Sequence, residues 1–257
     1  MAWKWSTGLR DFVMGKGSFR QAFEDCKLMI YTSPIPTTAD AVLLGTYLGT
    51  FTKSSGTTTL IRGWGEINLI TVTAGTTGQT FGFDCTVDGG TVVTAVYTVP
   101  AADTTVVAAH AVKIVRLFTD IGLRACATGQ DGKVYVMGHN NQALPIALTA
   151  GMTGTIAAVG DNQYAPATND CLRFGKPASA VIAKDTGQTW SGIMSASGTA
   201  AYGRIVDVND LGTGNTTDKR MQGTIGVGTG DIQISNANIT AGATETCDTC
   251  AFTWPAE

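Results

Sequence analysis

The sequence predicts a mainly β protein: an antiparallel β-sandwich, jelly-roll-like, with a short N-terminal helical segment and an inserted small α+β subdomain. Three observations carry this. Thr is the commonest residue and Gly numbers 32 of 257, a mix that favours strands and turns over helices. Short β-patterned runs recur between Gly- and Pro-rich breaks along most of the chain. One run alone, after Pro100, has the apolar spacing of a long helix.

The elements follow in chain order. Ser6 or Thr7 can cap a helix over 8–14, and Gly15 and Gly17 interrupt it. Ser18 with Gln21 forms a capping-box pattern for a second helix over 19–25, with Phe19 and Phe23 on one face. Lys27–Thr32 reads as a buried strand that must end at Pro34 and Pro36, because proline lacks the ladder N–H and fixes φ. A second strand is expected over Leu43–Lys53, a turn at Ser54-Ser55-Gly56, and a short extended piece over Thr57–Gly63.

The character changes at Gly65. Strands are expected over Ile67–Ala74 and Thr80–Val87, then a hairpin turn at Asp88-Gly89-Gly90 and a partner strand over Thr91–Val99. Asp103 can cap the long helix, near 103–119, with Val107, Ala111, Ile114, Val115 and Phe118 at helical spacing. Strands over Leu123–Thr128, Lys133–Val136 and Thr153–Val159 complete a β-β-β-α-β-β-β order. The expected domains are therefore 1–64 with 171–257, a discontinuous sandwich, and 65–170, an inserted subdomain. From Cys171 the earlier style resumes, with strands over Ala178–Ala183, Gln188–Met194, Thr199–Val208, Met221–Val227, Asp231–Asn236 and Thr246–Trp254.

Composition narrows function. Charged residues are only 14 % and mean hydropathy is +0.12, which fits either a surface that partly meets other protein or a solvated surface rich in Thr and Ser. The net charge is −3, and no Lys/Arg run is present that would neutralise a nucleic-acid backbone. The N-terminus has no leader-like apolar region and no run is long enough for a membrane span, so the reading is a chain made in the cytosol. Its six cysteines are then expected as free, buried thiols.

Candidate chemical groupings were weighed in turn. Cys247 and Cys250 form a CxxC, but a zinc site needs a second pair, and His110 and His139 are isolated. On a regular strand, positions three apart point to opposite faces. Asp207, Asn209, Asp210 and Asp218 loosely trace a calcium loop, with Leu211 where an oxygen ligand is wanted. A polar inter-strand loop is the better reading. Gly226–Gly230 lacks the Lys-Ser/Thr and helix of a phosphate loop. No cofactor and no enzymatic activity are expected. Trp64, Trp190 and Trp254 are read as core, although together they could form a sugar-stacking platform. Trp3 and Trp5 precede the first helix and are read as an exposed aromatic tail that joins subunits. With Arg10, Arg20, Pro34 and Pro36 they make up the interface candidates.

The segments GLRDFVMGKGSFRQAF, KLMIYTSPIPTTADA, TWSGIMSASGTAAYGRIVDV, TTDKRMQGTIGVGTGDIQISNANITAGA and CDTCAFTWPA, in that order, resemble a family of structural proteins of tailed bacteriophages. The resemblance covers about residues 6–55 and 171–255, with Cys247 and Cys250 where hydroxyl residues are usual. Residues 65–170 resemble hairpin-plus-helix modules of phage structural proteins through Asp88-Gly89 and Ala102-Asp103-Thr104. The resemblance implies a virion subunit of the tail, neck or capsid surface, assembled in the host cytoplasm. Its partners would be other copies of itself and other virion proteins. The alternative reading is a phage-borne sandwich that binds a host surface glycan.

Overall fold

The computed structural model describes the chain except for residues 1–2, 57–59, 61–64, 75–76, 88–90, 100–106, 129–131, 139–142, 151–152, 159–169 and 254–257. The expectations for the 57–63 strand, the 88–90 turn, the Asp103 cap, Trp64, His139 and Trp254 lie outside the described residues. The fold is mainly β, and it divides into two units, 1–62 with 168–257 and 63–167.

The first unit opens with β1 (Lys4–Trp5), α1 (Thr7–Gly15), α2 (Phe19–Ala22), β2 (Cys26–Tyr31) and β3 (Tyr47–Lys53). The second unit contains β4 (Ile67–Ala74), β5 (Thr80–Val87), β6 (Thr91–Thr98), α3 (Val107–Asp120), β7 (Arg124–Thr128), β8 (Lys133–Met137), β9 (Ile146–Ala150) and β10 (Thr153–Ala158). The first unit then resumes with β11 (Val181–Ala183), β12 (Trp190–Ile193), β13 (Gly198–Thr199), β14 (Tyr202–Asp207), β15 (Arg220–Gly226), β16 (Ile232–Ile234), β17 (Asn238–Ile239) and β18 (Thr244–Thr253).

The first unit is not the expected sandwich. Its strands run β15-β14-β2-β3-β12-β18-β16, and β16 returns to β15 through a parallel pair, closing a seven-strand barrel. Sequence alone hides this, because a jelly roll and a small barrel share the same inside–outside alternation and differ only in which strands meet. Leu28–Tyr31 of the opening strand pair with Tyr202–Ile205 on one side and, locally, with β3 on the other.

The barrel interior holds Leu28, Ile30, Phe51, Trp190, Ile205, Met221, Ile232 and Ile234, all buried. The helical segment packs on this core. Ser6 caps α1 by accepting from Leu9 N, and Ser18 and Gln21 make the reciprocal capping box of α2. The box aims Phe19 and Phe23 inward: Phe19 lies 5.5 Å from both Phe174 and Phe252, and Phe174 lies 5.4 Å from Trp190. Gly8 lets α1 press against the backbone of Thr217, since a Cβ there would sit 2.3 Å from the Thr217 carbonyl oxygen.

Strand β18 departs from alternation. Gln233 pairs with Thr249 but Ile234 pairs with Cys247, so Asp248 is an extra residue at a bulge. The bulge turns both Cys247 and Cys250 to the buried side, correcting the expectation that they face opposite ways.

In the second unit, β10-β4-β8-β7 and β6-β5-β9 form two sheets. Helix α3 sends Ala111, Ile114 and Phe118 into their shared core, with Phe118 5.4 Å from Phe83. Strand β9 is an addition to the strands expected from the sequence. His110 is fully buried beside the expected stripe, with Nδ1 3.2 Å from the Tyr97 hydroxyl.

All six cysteines are thiols outside any disulfide, and only Cys126 is exposed. Burial drives the Cys26 and Cys250 thiols well above the ordinary value, and lifts Cys85 and Cys247 to about 12. Two outcomes are expected. A thiol reagent on the native protein at neutral pH modifies one cysteine rapidly and the other five only with unfolding. Stability is level below the ordinary thiol range near 9 and falls as pH rises from there toward 12, because the unfolded chain releases those protons first. Denaturant titrations between neutral and alkaline pH check the second.

Candidate assembly surface

The functional surface grows out of the opening strand. After Tyr31 the chain does not turn back at once. Residues 32–46 run as a strap across the outer face of β2, β14 and β15, and rejoin the sheet as β3. The Ser33–Pro34 bond is cis. Gly45, at φ +75, ends the strap in a conformation that favours glycine, and a Cβ there would lie 2.2 Å from the Thr32 carbonyl oxygen. This is why the strand expected from Leu43 begins only at Tyr47: Val42, Leu43 and Leu44 belong to the strap.

The outer face beneath carries a polar row. Register sets Tyr202 beside Tyr31 and Arg204 beside Gln222. Tyr202 and Tyr31 stack with centroids 5.3 Å apart, and the Tyr202 hydroxyl bonds the backbone of Leu44, accepting from its N–H and donating to its carbonyl. Arg204, fully buried, donates to the Ala41 carbonyl at 2.8 Å, to the Thr38 carbonyl, and to Gln222 Oε1 at 2.6 Å. Gln222 and Lys4 both donate to the Pro36 carbonyl. Asp40 accepts from the Thr7 N–H and hydroxyl at the start of α1. A segment without regular structure must send its backbone polar groups somewhere, and here side chains of the barrel take them.

Arg220 does the same for the next loop. It lies fully buried, donating to both carboxylate oxygens of Asp210 and to Asp218. Asp207, 4.0 Å from Lys219, also accepts from the Asn209 N–H. The carboxylates that traced a calcium-loop pattern are thus engaged by cations and backbone of the protein itself. Burial, with the neighbouring Arg220 charge, lowers the pKa of Arg204, whereas the carboxylates around Arg220 raise its pKa despite its burial.

The strap presents an apolar rim. Val42 is 56 % exposed, Leu44 42 %, Tyr47 39 % and Leu211 85 %. Leu43 lies over Gly212 and Val42 reaches Gly214, so the strap and the loop that carries Leu211 stand side by side. Burying one such side chain is worth about 1.5–3 kcal/mol, a gain that a neighbouring molecule can supply.

The predicted interface residues are placed unevenly. Trp3 and Trp5 are half-buried on the barrel, not an exposed tail: Trp3 Nε1 donates to the Ala251 carbonyl, and Trp5 packs on Phe19 and Phe252. The cause is a long-range pairing, since β1 pairs with β15 and draws both rings inward. Arg20 fastens α2 by donating to the Phe174 carbonyl. Pro36, within the strap, is buried and held by Gln222, Pro34 is exposed, and Arg10 is exposed on α1. The apolar rim was overlooked because Leu43 and Leu44 read as the start of a strand.

The second unit has an open cleft of about 460 Å³, lined by Glu66, Asn68, Asp84, Thr86, Val92, Pro145, Ile146 and Ala147. Three of its polar side chains are in use: Glu66 accepts from Leu144 N, Asn68 donates to Leu144 O, and Asp84 accepts from Thr94. Among the described residues, no three His, Cys, Asp or Glu side chains are placed to share a metal, and no helix is long and apolar enough to cross a membrane. Compared with known proteins, the chain matches no family model, no curated sequence and no solved structure.

Replacing Arg220 by Met strands Asp210, itself almost fully buried, without its cation. The expected loss is about 3–5 kcal/mol, and the double change Arg220→Met with Asp210→Asn loses less. Equilibrium urea unfolding of both variants checks this.

Proposed function

We propose that the protein is a structural subunit of a tailed-phage virion, at the tail, neck or capsid surface, that acts by burying its surface against neighbouring copies and other virion proteins. The observation that carries the reading is the strap. Its backbone is fastened to the barrel by Tyr202, Arg204 and Gln222, while Val42 and Leu44 project to solvent beside Leu211. A rigid backbone that holds apolar side chains outward loses little entropy when a neighbour covers them, which suits an assembly contact. The order of the N- and C-terminal segments, which resembles that of phage structural proteins, supplies the context. On this reading the protein carries out no reaction and needs no cofactor.

The glycan-binding alternative gains little from the second unit's cleft. Among the described residues its lining has no aromatic ring on which a sugar could stack.

The reading predicts that antibody to the protein decorates purified virions in electron micrographs. Val42→Asp with Leu44→Asp should leave thermal unfolding within a few degrees of wild type and reduce incorporation into particles by an order of magnitude or more. Particles that lack the protein would refute the proposal, and full incorporation of the double variant would remove the strap from the interface.

A further inference from the structure

Strand β6 is an edge of the three-stranded sheet β6-β5-β9. One side pairs with β5 over all eight residues without a register break. Among the described residues, no strand pairs with the other side. An open edge offers a row of N–H and C=O groups, and folded proteins usually guard it with charge, proline, a bulge or brevity. The other described edges in this unit have such devices. Strand β9 has five residues and a register shift against β5, β10 has a shift at Gly154, and β7 has five residues and begins at Arg124. Strand β6, TVVTAVYT, has no charge, no proline and no bulge, and apart from Ala95 it consists of β-branched or aromatic residues.

The phase of the open edge can be derived. Val99 N donates to Gln79 O, so Val99 bonds toward the β5 side. Alternation then sends the backbone groups of Tyr97, Ala95 and Val93 the same way, and leaves those of Val92, Thr94, Val96 and Thr98 on the open edge. The side chains of these four residues are also exposed, Val92 at 58 % and Val96 at 51 %.

We propose that β6 pairs antiparallel with β6 of a second copy, about a two-fold axis through Thr94, joining two three-stranded sheets into one. With that centre, Thr94 faces Thr94 of the partner subunit, and Val92 faces Val96 of the partner subunit. The exposed valines then meet on one face, and β-branched and Thr–Thr pairs of this kind stabilise a sheet. A centre at Ala95 would instead set the valines against threonines. The strand carries no charge, so no like charges oppose each other, and its open groups are self-complementary. Those two properties single out a second copy as the occupant. The inference rests on the assembly reading for the expectation that copies meet, but it uses a surface separate from the strap.

The test is Thr94→Lys. In its own sheet Thr94 bonds Asp84 at 2.6 Å, so a lysine there keeps an acidic neighbour and the fold, whereas in the pair it opposes a second lysine. Sedimentation of wild type should show a concentration-dependent dimer, and Thr94→Lys should raise its dissociation constant about tenfold or more with unchanged circular dichroism. In a Cys126→Ser background, Thr94→Cys should form a covalent dimer with copper–phenanthroline. Val92→Cys alone should not, but its mixture with Val96→Cys should. A wild-type chain that stays monomeric, a Thr94→Lys dimer as tight as wild type, or no Thr94→Cys cross-link would each overturn the pairing. Virion labelling in any of those cases would leave the assembly reading standing.

Discussion

The structure depends on one long-range pairing. Strand β2 has a local neighbour in β3, but its other neighbour, β14, arrives only after the whole second unit has been made. Without that pairing β2 has an open edge, Leu28 and Ile30 lose a neighbouring strand, and the parallel contact of β16 with β15 has no sheet to close. Such a connection is tolerable because the entropy of closing a long loop grows only logarithmically, by about 0.6 kcal/mol for each doubling of length. It makes the barrel a product of both ends of the chain, which is the expected footing for a unit inserted at a surface turn.

The same strand supplies the platform for the strap. Its outward residue Tyr31 stacks on Tyr202, and the adjoining row, Arg204 with Gln222, accommodates strap carbonyls that no sheet could satisfy. Two buried guanidinium groups are costly to desolvate. Arg204 recovers this through fixed carbonyl and amide oxygens, and Arg220 through Asp210 and Asp218. These groups specify one path for an otherwise irregular segment, and that path is what sets Val42 and Leu44 at the surface.

Much of the local structure was legible in the sequence. The Ser6 cap, the Ser18–Gln21 box, the Phe19–Phe23 face, the strands Ile67–Ala74 and Thr80–Val87 and the apolar stripe of α3 are short-range effects, written within a few residues of where they act. What escaped was non-local. Barrel closure needs the β15–β16 contact, the inward turn of Cys250 needs the bulge at Asp248, and the burial of Trp3 and Trp5 needs β15. The strap was misread for a related reason. Val42-Leu43-Leu44 has strand composition, and only the left-handed Gly45 and the side chains of Tyr202 and Arg204, far away in sequence, hold it out of the sheet.

The central claim, that strands from the two ends of the chain form one cooperative barrel, is tested most directly by native-state hydrogen exchange resolved to single amides. The account predicts that the amides of Leu28–Tyr31 in β2, Tyr202–Val206 in β14 and Met221–Gly223 in β15 exchange at the slowest rates in the first unit, with a common opening free energy. Exchange of the β2 amides well ahead of those in β14 and β15 would contradict it, because it would mean that the opening strand is attached to the barrel rather than part of it.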